Sequence, residues 1–199
     1  MELEIRNFTS LDEDEWLKCH TAAYYESFFF DELVKIKPRY EATSLELVGI
    51  VNKEIVGILD IEIEEAAGQL SFQEAEKSGL ISIIGIKPRY RRKTIATRLL
   101  QTAITLLKNE HLNLTRLEIW VRDDTTLLSW LEKNGFSEIN RFYQVTLTTD
   151  FFLKYDIDLP FGLAPDTLTA NADSETYSEL SQYHPPEKAE RVIILERSI

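Results

Sequence analysis

The 199-residue chain has a single cysteine, Cys19, and no uncharged apolar stretch long enough to cross a membrane. One cysteine excludes an internal disulfide, which is typical of proteins in a reducing compartment. The N-terminal sequence MELEIRNFTS lacks the charged start and the apolar run of a signal peptide. We therefore expect a cytoplasmic protein that has no membrane partner.

Histidine is scarce, and the chain has no excess of positive charge. The three histidines, His20, His111 and His184, lack the spacing of metal ligands, so no metal is expected. The net charge is −12, which makes nucleic acid an unexpected partner because phosphate binding needs a basic surface. Length and composition predict one domain over residues 1–199, as a monomer or a homodimer.

One short segment differs from this acidic composition. Residues 86–96 read IKPRYRRKTIA, whereas residues 1–36 and 150–199 each carry a net charge of −6. Such a cluster in an acidic protein indicates a single small anionic ligand rather than a broad basic surface. The cations of this segment are Lys87, Arg89, Arg91, Arg92 and Lys93.

Hydrophobic periodicity predicts a mixed α/β domain. The first helix starts after Ser10 and carries a buried Cys19, and the turn Asn52-Lys53 joins two strands in a hairpin. The acidic segment 150–189 is predicted to be rich in loops. The further helices are predicted from Thr94 to about Leu107 and over 125–136, and the strands over 3–9, 44–51, 55–65, 79–86, 115–123, 139–148 and 190–198.

The cationic segment therefore lies between a buried strand that ends at Ile86 and a helix that starts near Thr94. The first N–H groups of a helix have no partner inside it, and its dipole makes this end partly positive. Amides and cations that point to one spot form a pyrophosphate site. The alternative is that the cations only solvate an exposed turn, but the strand and helix on either side favour the ligand.

Two segments resemble the GCN5-related N-acetyltransferase (GNAT) family. GIKPRYRRKTIATRLL (85–100) is similar to the family signature R/Q-x-x-G-x-G/A, which stands here as Arg91 to Ala96. WVRDDTTLLSWLEKNGF (120–136) resembles the family's second conserved region, which ends in a helix and Gly-Phe. The predicted order of elements matches the family from residue 3 to about residue 149.

The resemblance implies a mixed central sheet flanked by helices, with an acidic C-terminal extension, and an acetyl-CoA-dependent N-acetyltransferase. It implies that backbone groups of Ile84, Gly85 and Ile86 pair with pantetheine as an added strand would. The acceptor amine would attack the thioester directly, and a backbone N–H near Ile86 would stabilise the oxyanion. The residues whose amides would hold the CoA pyrophosphate are Arg91, Arg92, Lys93, Thr94, Ile95 and Ala96.

Three residues depart from the family pattern. Thr94 replaces the first glycine, and we expect it to fit only with a negative φ, when its hydroxyl could donate to phosphate. Asp124 stands where an asparagine is common beside the pantetheine arm. Leu131 stands where many members have the tyrosine that protonates the leaving thiolate, and Tyr143 on the next strand is a candidate substitute.

The acceptor is expected to be a small-molecule amine or a basic peptide, because the acidic surface favours a cation. Glu62, Glu64 and Glu118 lie on strands that the family fold brings near the cleft, so each could bind or deprotonate an amine. For each of them taken singly, however, the favoured interpretation is an ordinary solvent-facing residue of an alternating strand. A CoA-binding or regulatory domain without catalysis remains the alternative to an enzyme.

Overall fold

The computed structural model describes residues 2–27, 29–72, 76–110, 114–148, 167–183 and 188–199, and within them the chain forms eight strands and four α-helices. The strands are β1 (Glu4–Asn7), β2 (Thr43–Val51), β3 (Glu54–Ile63), β4 (Ser78–Ile86), β5 (Arg116–Arg122), β6 (Ser137–Thr148), β7 (Thr167–Ala172) and β8 (Lys188–Ser198). The helices are α1 (Glu13–Tyr24), α2 (Ile95–Glu110), α3 (Thr125–Lys133) and α4 (Ser174–Tyr183).

All eight strands belong to one mixed sheet in the order β1-β2-β3-β4-β5-β8-β6-β7. Every neighbouring pair is antiparallel except β4 and β5, which are parallel. Their pairing covers only Ser78–Leu80 on β4 and Arg116–Glu118 on β5. Beyond these residues the two strands separate, so a gap opens inside the sheet.

Helices pack on both faces of the sheet. Helix α2 packs against β2, β3 and β4 through Leu99 and Leu100, which are fully buried together with Leu59 and Ile61 of β3. On the other face α1 packs against β3 and β4. Its buried residues Trp16, Cys19, Ala23 and Tyr24 form a second cluster with Val48, Ile55, Ile58 and Ile83.

The alternating pattern of β3 predicts this division correctly. Leu59, Ile61 and Ile63 face α2, whereas Asp60 and Glu62 lie on the α1 side. The predicted hairpin turn is also present, with φ of 51° at Asn52 and 66° at Lys53. Positive φ at both central residues is typical of the tight turn that matches the twist of two antiparallel strands.

The C-terminal segment differs from the prediction. Within 150–189, residues 150–166 and 184–187 lie outside the described residues, but the described part contains β7 and α4 rather than loops. Strand β7 is stabilised by antiparallel pairing with β6, which local sequence does not reveal. Asp173 caps α4, since its carboxylate accepts the Thr176 N–H at 2.7 Å, and this capping signal was missed.

The described residues confirm the predicted mixed α/β fold class. None of the described helices is long and apolar enough to span a bilayer. The single domain over 1–199 remains a prediction.

Gly85 determines how closely α1 approaches β4. A Cβ at this position would lie 3.0 Å from the Ala23 Cβ, 3.2 Å from the Tyr24 ring and 3.4 Å from Ile58. The first two atoms belong to α1, so only glycine allows this helix to lie so near the strand.

We expect Gly85→Ala to lower the free energy of unfolding by about 1–3 kcal/mol, the usual cost of overpacking a core. Gly49→Ala is the matched control, because its new Cβ would meet Ile95 and Leu3 at an ordinary 3.5 Å. Urea denaturation of both variants measures the difference. Equal stability of the two variants would show that α1 moves away from the sheet at little cost.

Candidate active site

The hydrogen bonds of β4 show which of its backbone groups face the gap. The Lys87 N–H donates to Val56 O at 2.9 Å, next to the register pairs that join β4 to β3. Because alternate residues of an antiparallel strand bond to the same neighbour, Gly85 also directs its backbone groups to β3. Ile84 and Ile86 direct theirs to the opposite side, into the gap.

Two side chains from outside the sheet occupy the carbonyls of this gap. The Tyr24 hydroxyl donates to Ile84 O at 3.4 Å, and the Arg91 Nε donates to Ile86 O at 3.2 Å. The N–H groups of Ile84 and Ile86 have no partner strand on this side in the described part of the sheet. They are therefore two donors along an edge that an extended ligand can pair with.

The cationic segment forms a tight loop at the end of this edge. A short 3-10 turn at Pro88–Tyr90 is followed by positive φ at Arg92 (60°) and Thr94 (61°), and α2 then begins at Ile95. Arg98 N–H, which donates to Thr94 O at 2.9 Å, is the first amide that the helix satisfies. Among the described residues, no acceptor is present for the main-chain N–H groups of 92–97. These amides, at the positive end of α2, can receive an anion.

Two cations of the segment are used to hold the chain. The Lys87 ammonium lies 2.8 Å from Glu54, and the Arg89 guanidinium also pairs with Glu54. Tyr90 donates to the same carboxylate at 3.2 Å. The hydrogen bond from Lys87 is the main cause that lowers the pKa of Glu54, which stays ionised. These cations fasten the loop to the start of β3.

The remaining three cations differ in whether their side chains are bonded to other parts of the protein. Arg91 donates through its guanidinium to Ala23 O at 2.8 Å, so this side chain connects the loop to α1. Arg92 and Lys93 are exposed and form no ion pair within the described ranges. The charge available for a ligand thus comes from Arg92 and Lys93, not from the whole cluster.

Thr94 does not adopt the expected conformation. Its φ is +61°, and its hydroxyl donates to Lys93 O at 2.7 Å. A β-branched residue is strained in this left-handed region, which explains why the family has a glycine there. The expectation of a negative φ and a hydroxyl free for phosphate is therefore wrong.

Asp124 and Leu131 hold helix α3 in place. Asp124 caps the helix, since its Oδ1 accepts the N–H groups of Thr126 and Leu127 at 2.8 and 3.1 Å. Leu131 is fully buried in the main core. Trp130 links α3 to α2 by donating to the Thr97 hydroxyl at 3.1 Å. Since leucine has no polar side-chain group, Leu131 cannot donate a proton in the gap.

The Glu64 carboxylate is bound by backbone amides. It accepts the N–H groups of Leu70, Ser71 and Ser78 at 2.8, 2.7 and 2.8 Å. Burial alone would raise the pKa of Glu64, but these hydrogen bonds outweigh it and lower the pKa to about 2. The residue fastens the connection between β3 and β4.

Glu118 and Glu62 lie on the α1 face near the point where β4 and β5 separate. Glu118 is fully buried, and one of its oxygens accepts the Phe72 N–H at 2.8 Å and the Trp120 ring N–H. Its other oxygen has no hydrogen-bond partner among the described residues. Glu62 is partly exposed and accepts the Ser82 hydroxyl. Glu62 is therefore the more accessible carboxylate.

Tyr143 is engaged in packing. Its ring stacks on Tyr177 of α4 with centroids 4.0 Å apart, and both contact the small cluster of Val145 and Ala172. A packing role was the more common expectation for a strand tyrosine.

A buried lysine fixes the connection between α1 and β2. The Lys37 ammonium lies 2.8 Å from Asp60 and 2.6 Å from Glu46, with no exposed side-chain area. Burial raises the pKa of Asp60, although its contact with Lys37 opposes that effect. Nothing in the sequence pattern indicated this pair. The ammonium also lies 4.8 to 5.2 Å from the rings of Phe8, Trp16 and Tyr40.

A second set of ion pairs ties the same connection to the far side of the gap. Asp31 pairs with Arg122 at the end of β5 and with Lys188 at the start of β8, the latter at 2.9 Å. Arg122 also lies 3.1 Å from Glu190. The hydrogen bond from Arg122 is the main cause that holds the pKa of Asp31 well below its usual range.

Tyr24 was not singled out as a site residue from the sequence. Trp16, His20 and Tyr24 repeat every fourth residue on one side of α1, and their rings stack with centroids 5.0 and 4.2 Å apart. This i, i+4 repeat was the sequence signal that the three rings lie on the same face of α1. Burial lowers the pKa of His20 to about 4, so the stacked imidazole is neutral.

No group of three or more His, Cys, Asp or Glu side chains in the described ranges is arranged to hold a metal ion. The donors at the gap are instead backbone amides and two exposed cations, which suit a phosphorylated organic ligand.

Comparisons with known proteins agree with this geometry. The chain is 29% identical over 140 residues to an N-alpha-acetyltransferase of Sulfurisphaera tokodaii, which is 69% of this chain and 82% of the relative. The ribosomal-protein-S18-alanine N-acetyltransferase of Escherichia coli has the same fold, with a TM-score of 0.60 at 14% identity, covering 100% of this chain and 94% of that one. The PaiA N-acetyltransferase of Thermoplasma acidophilum, solved with coenzyme A, gives a TM-score of 0.57 at 14% identity over the full length of both chains.

The model of the acetyltransferase (GNAT) family matches residues 5–136, about two thirds of the chain. This match includes the gap, the cationic loop and α3. It confirms the resemblance inferred from the two sequence segments and the class of acetyl-CoA-dependent N-acetyltransferase. The chain belongs to the acetyltransferase (GNAT) family.

Proposed function

We propose that this N-acetyltransferase moves the acetyl group of acetyl-CoA to a primary amine, with the α-amino group of a polypeptide as the favoured acceptor. The observation that carries the proposal is the gap between β4 and β5, where Ile84 and Ile86 present N–H donors beside the amides of 92–97. The gap suits an extended thioester arm, and the loop suits its phosphates.

In this proposal the pantetheine arm lies along β4 and the pyrophosphate lies on the loop. Ile84 and Ile86 pair with the arm, whereas Gly85 is left out because its backbone groups are directed to β3. The pyrophosphate is bound by the amides from Arg92 to Ala96 and by the side chains of Arg92 and Lys93. Arg91 and Asp124 act indirectly by holding α1 and α3 in position.

The acceptor nitrogen attacks the thioester carbonyl, and an N–H of β4 that faces the gap stabilises the oxyanion. Neutralising a lysine-like amine at pH 7 costs about 4–5 kcal/mol, whereas an α-amino group costs only about 1 kcal/mol. Since Glu64 is bound by amides and Glu118 is buried, Glu62 is the one predicted carboxylate left accessible. The scarcity of accessible bases supports an acceptor of low pKa.

The names of two similar proteins also support an α-amino acceptor. One is an N-alpha-acetyltransferase, and another acts on the alanine of ribosomal protein S18. The accessible carboxylate of Glu62 on the α1 face suits an ammonium group that approaches from that side.

An assay of thiol release with paired peptides tests the acceptor. A peptide with a free α-amino group and no lysine should react, and the same peptide with a blocked N-terminus and one added lysine should not. Spermidine serves as a small cationic control. Reaction with the lysine peptide or with spermidine alone would contradict the α-amino acceptor, and tight CoA binding without any thiol release would support a non-catalytic domain.

The cationic loop generates a second test. Replacing Arg92 and Lys93 with Ala should raise the Kd for acetyl-CoA at least tenfold, because each charge-assisted contact contributes about 1.5–3 kcal/mol. The Kd for acetyl-pantetheine, which lacks the nucleotide phosphates, should stay nearly constant. Calorimetric titration measures both ligands.

Arg89→Ala is the control for this loop. Its side chain is exposed and paired with Glu54, which Lys87 and Tyr90 also hold. The loop should therefore keep its position without Arg89, and the affinity for acetyl-CoA should be close to that of the parent protein. Equal losses for acetyl-CoA and acetyl-pantetheine in the double variant would remove Arg92 and Lys93 from phosphate binding.

Thr94→Gly should stabilise the protein relative to Thr94→Ala by about 1 kcal/mol. Both variants lose the hydroxyl, but only glycine adopts the observed φ of 61° without strain. Thermal and urea unfolding measure the difference. If the alanine variant is as stable as the glycine variant, the left-handed conformation at residue 94 is incorrect.

A further inference from the structure

The gap lacks a proton donor at the position where many family members have a tyrosine. Leu131 stands there, fully buried in the main core. When the C–S bond breaks, the sulfur carries negative charge, and the apolar side chain of Leu131 cannot donate a proton to it. A hydroxyl near that sulfur would lower the barrier by stabilising this charge.

The hydroxyl of Tyr24 reaches the gap from the opposite helix. It lies 3.4 Å from Ile84 O, and its ring packs over Gly85. In a β-strand the N–H and C=O of one residue point to the same side. The Tyr24 hydroxyl and the Ile84 N–H therefore border the same part of the gap. In the proposed function the pyrophosphate lies on the loop that follows Ile86, so the thioester end of the arm lies on the Ile84 side.

The other tyrosines whose hydroxyl partners or ring contacts are described are engaged elsewhere. Tyr40 donates to Asp60 at 2.9 Å, and Tyr90 donates to Glu54 at 3.2 Å. Tyr143 is stacked on Tyr177. Tyr24 alone among these contacts a backbone carbonyl of the gap, and at 3.4 Å that hydrogen bond is long enough to exchange for a better acceptor.

The environment of Tyr24 keeps its hydroxyl protonated. Burial is the main cause that raises the pKa of Tyr24 above its ordinary value. A phenol whose pKa is raised is too weak an acid to protonate a thiolate in a separate step. It can donate its proton to the sulfur while its oxygen accepts another proton. It is therefore suited to relay a proton without ever carrying a full negative charge.

We propose that Tyr24 is a catalytic residue that relays a proton from the acceptor nitrogen to the CoA sulfur, which rests on the proposed function above. The C–N bond forms first, and the carbonyl oxygen becomes an oxyanion at the β4 N–H. As the C–S bond breaks, its electron pair stays on sulfur, which takes the Tyr24 hydroxyl proton. The nitrogen gives its surplus proton to the phenol oxygen, directly or through water, so Tyr24 ends neutral and the products are amide and thiol.

The experiment compares the parent protein with Tyr24→Phe, using two acetyl donors and the peptide with a free α-amino group. Acetyl-CoA has a thiol leaving group, and its selenium analogue has a more acidic selenol that leaves without help from an acid. With acetyl-CoA, kcat should fall by roughly 10²–10⁴-fold, the usual contribution of a positioned acid. With the selenoester the deficit should largely disappear. Acetylated peptide is measured by mass spectrometry.

Two controls separate catalysis from structure. Tyr25→Phe alters the neighbouring tyrosine, which is 68% exposed, and should keep the parent rate with both donors. The Kd of Tyr24→Phe for acetyl-CoA should be unchanged, since the lost hydrogen bond involves a carbonyl and not an N–H of the gap. A role of Tyr24 in positioning alone would give the same deficit with both donors.

The outcomes distinguish this proposal from the proposed function. An active parent whose Tyr24→Phe variant is equally active, or equally impaired with both donors, overturns only the relay. A parent protein that acetylates neither the peptides nor spermidine overturns both proposals.

Discussion

The separation of β4 from β5 is the constraint on which the rest of the site depends. Buried backbone groups are normally paired, so an open edge inside a sheet is costly unless something else satisfies it. Here Tyr24 and Arg91 satisfy the carbonyls of Ile84 and Ile86 from outside the sheet, and two N–H groups are left. An extended ligand can provide the hydrogen-bond acceptors for these N–H groups that β5 does not provide. The gap is thus a strand position that the sheet leaves for an added partner.

The cationic loop shows how an acidic protein assembles a local anion site. Lys87 and Arg89 converge on Glu54, and Arg91 bonds to the backbone of α1, so three of the five cations fix the geometry. Of these five cations, only Arg92 and Lys93 form no ion pair or hydrogen bond in the described structure, and the Lys93 ammonium lies 5.2 Å from the centre of the Tyr90 ring. The strained φ at Thr94 belongs to the same arrangement, because it lies where the chain turns into α2 and where the amides of 92–97 have no acceptor among the described residues. The number of cations in the segment therefore overestimates how many of them are available to bind a ligand.

Local sequence patterns predicted the features that depend on neighbours in the chain. The alternation of β3, the Asn52-Lys53 turn and the stripe of α2 are all of this kind, as is the strand–loop–helix unit at Thr94. Features that depend on distant contacts were not predicted. Strand β7 needs β6, Lys37 is recognisable only beside Asp60, and the close approach of α1 to Gly85 is visible only in the fold. The positive φ of Thr94 was missed because the turn from the loop into α2 decides the backbone conformation there, whereas threonine by itself prefers a negative φ.

The acids of the α1 face illustrate why composition is a weak guide to chemistry. Asp60 is neutralised by Lys37, Glu64 is bound by three amides, and Asp31 is held by Arg122 and Lys188. Each of these carboxylates holds a connection in place. For the buried pair of Asp60 and Lys37, removing one partner would leave an uncompensated charge. Most of the negative charge near the gap therefore fixes the walls of the site. A site with so few accessible bases is better matched to an amine that is already partly neutral at pH 7 than to one that must first lose a tightly held proton.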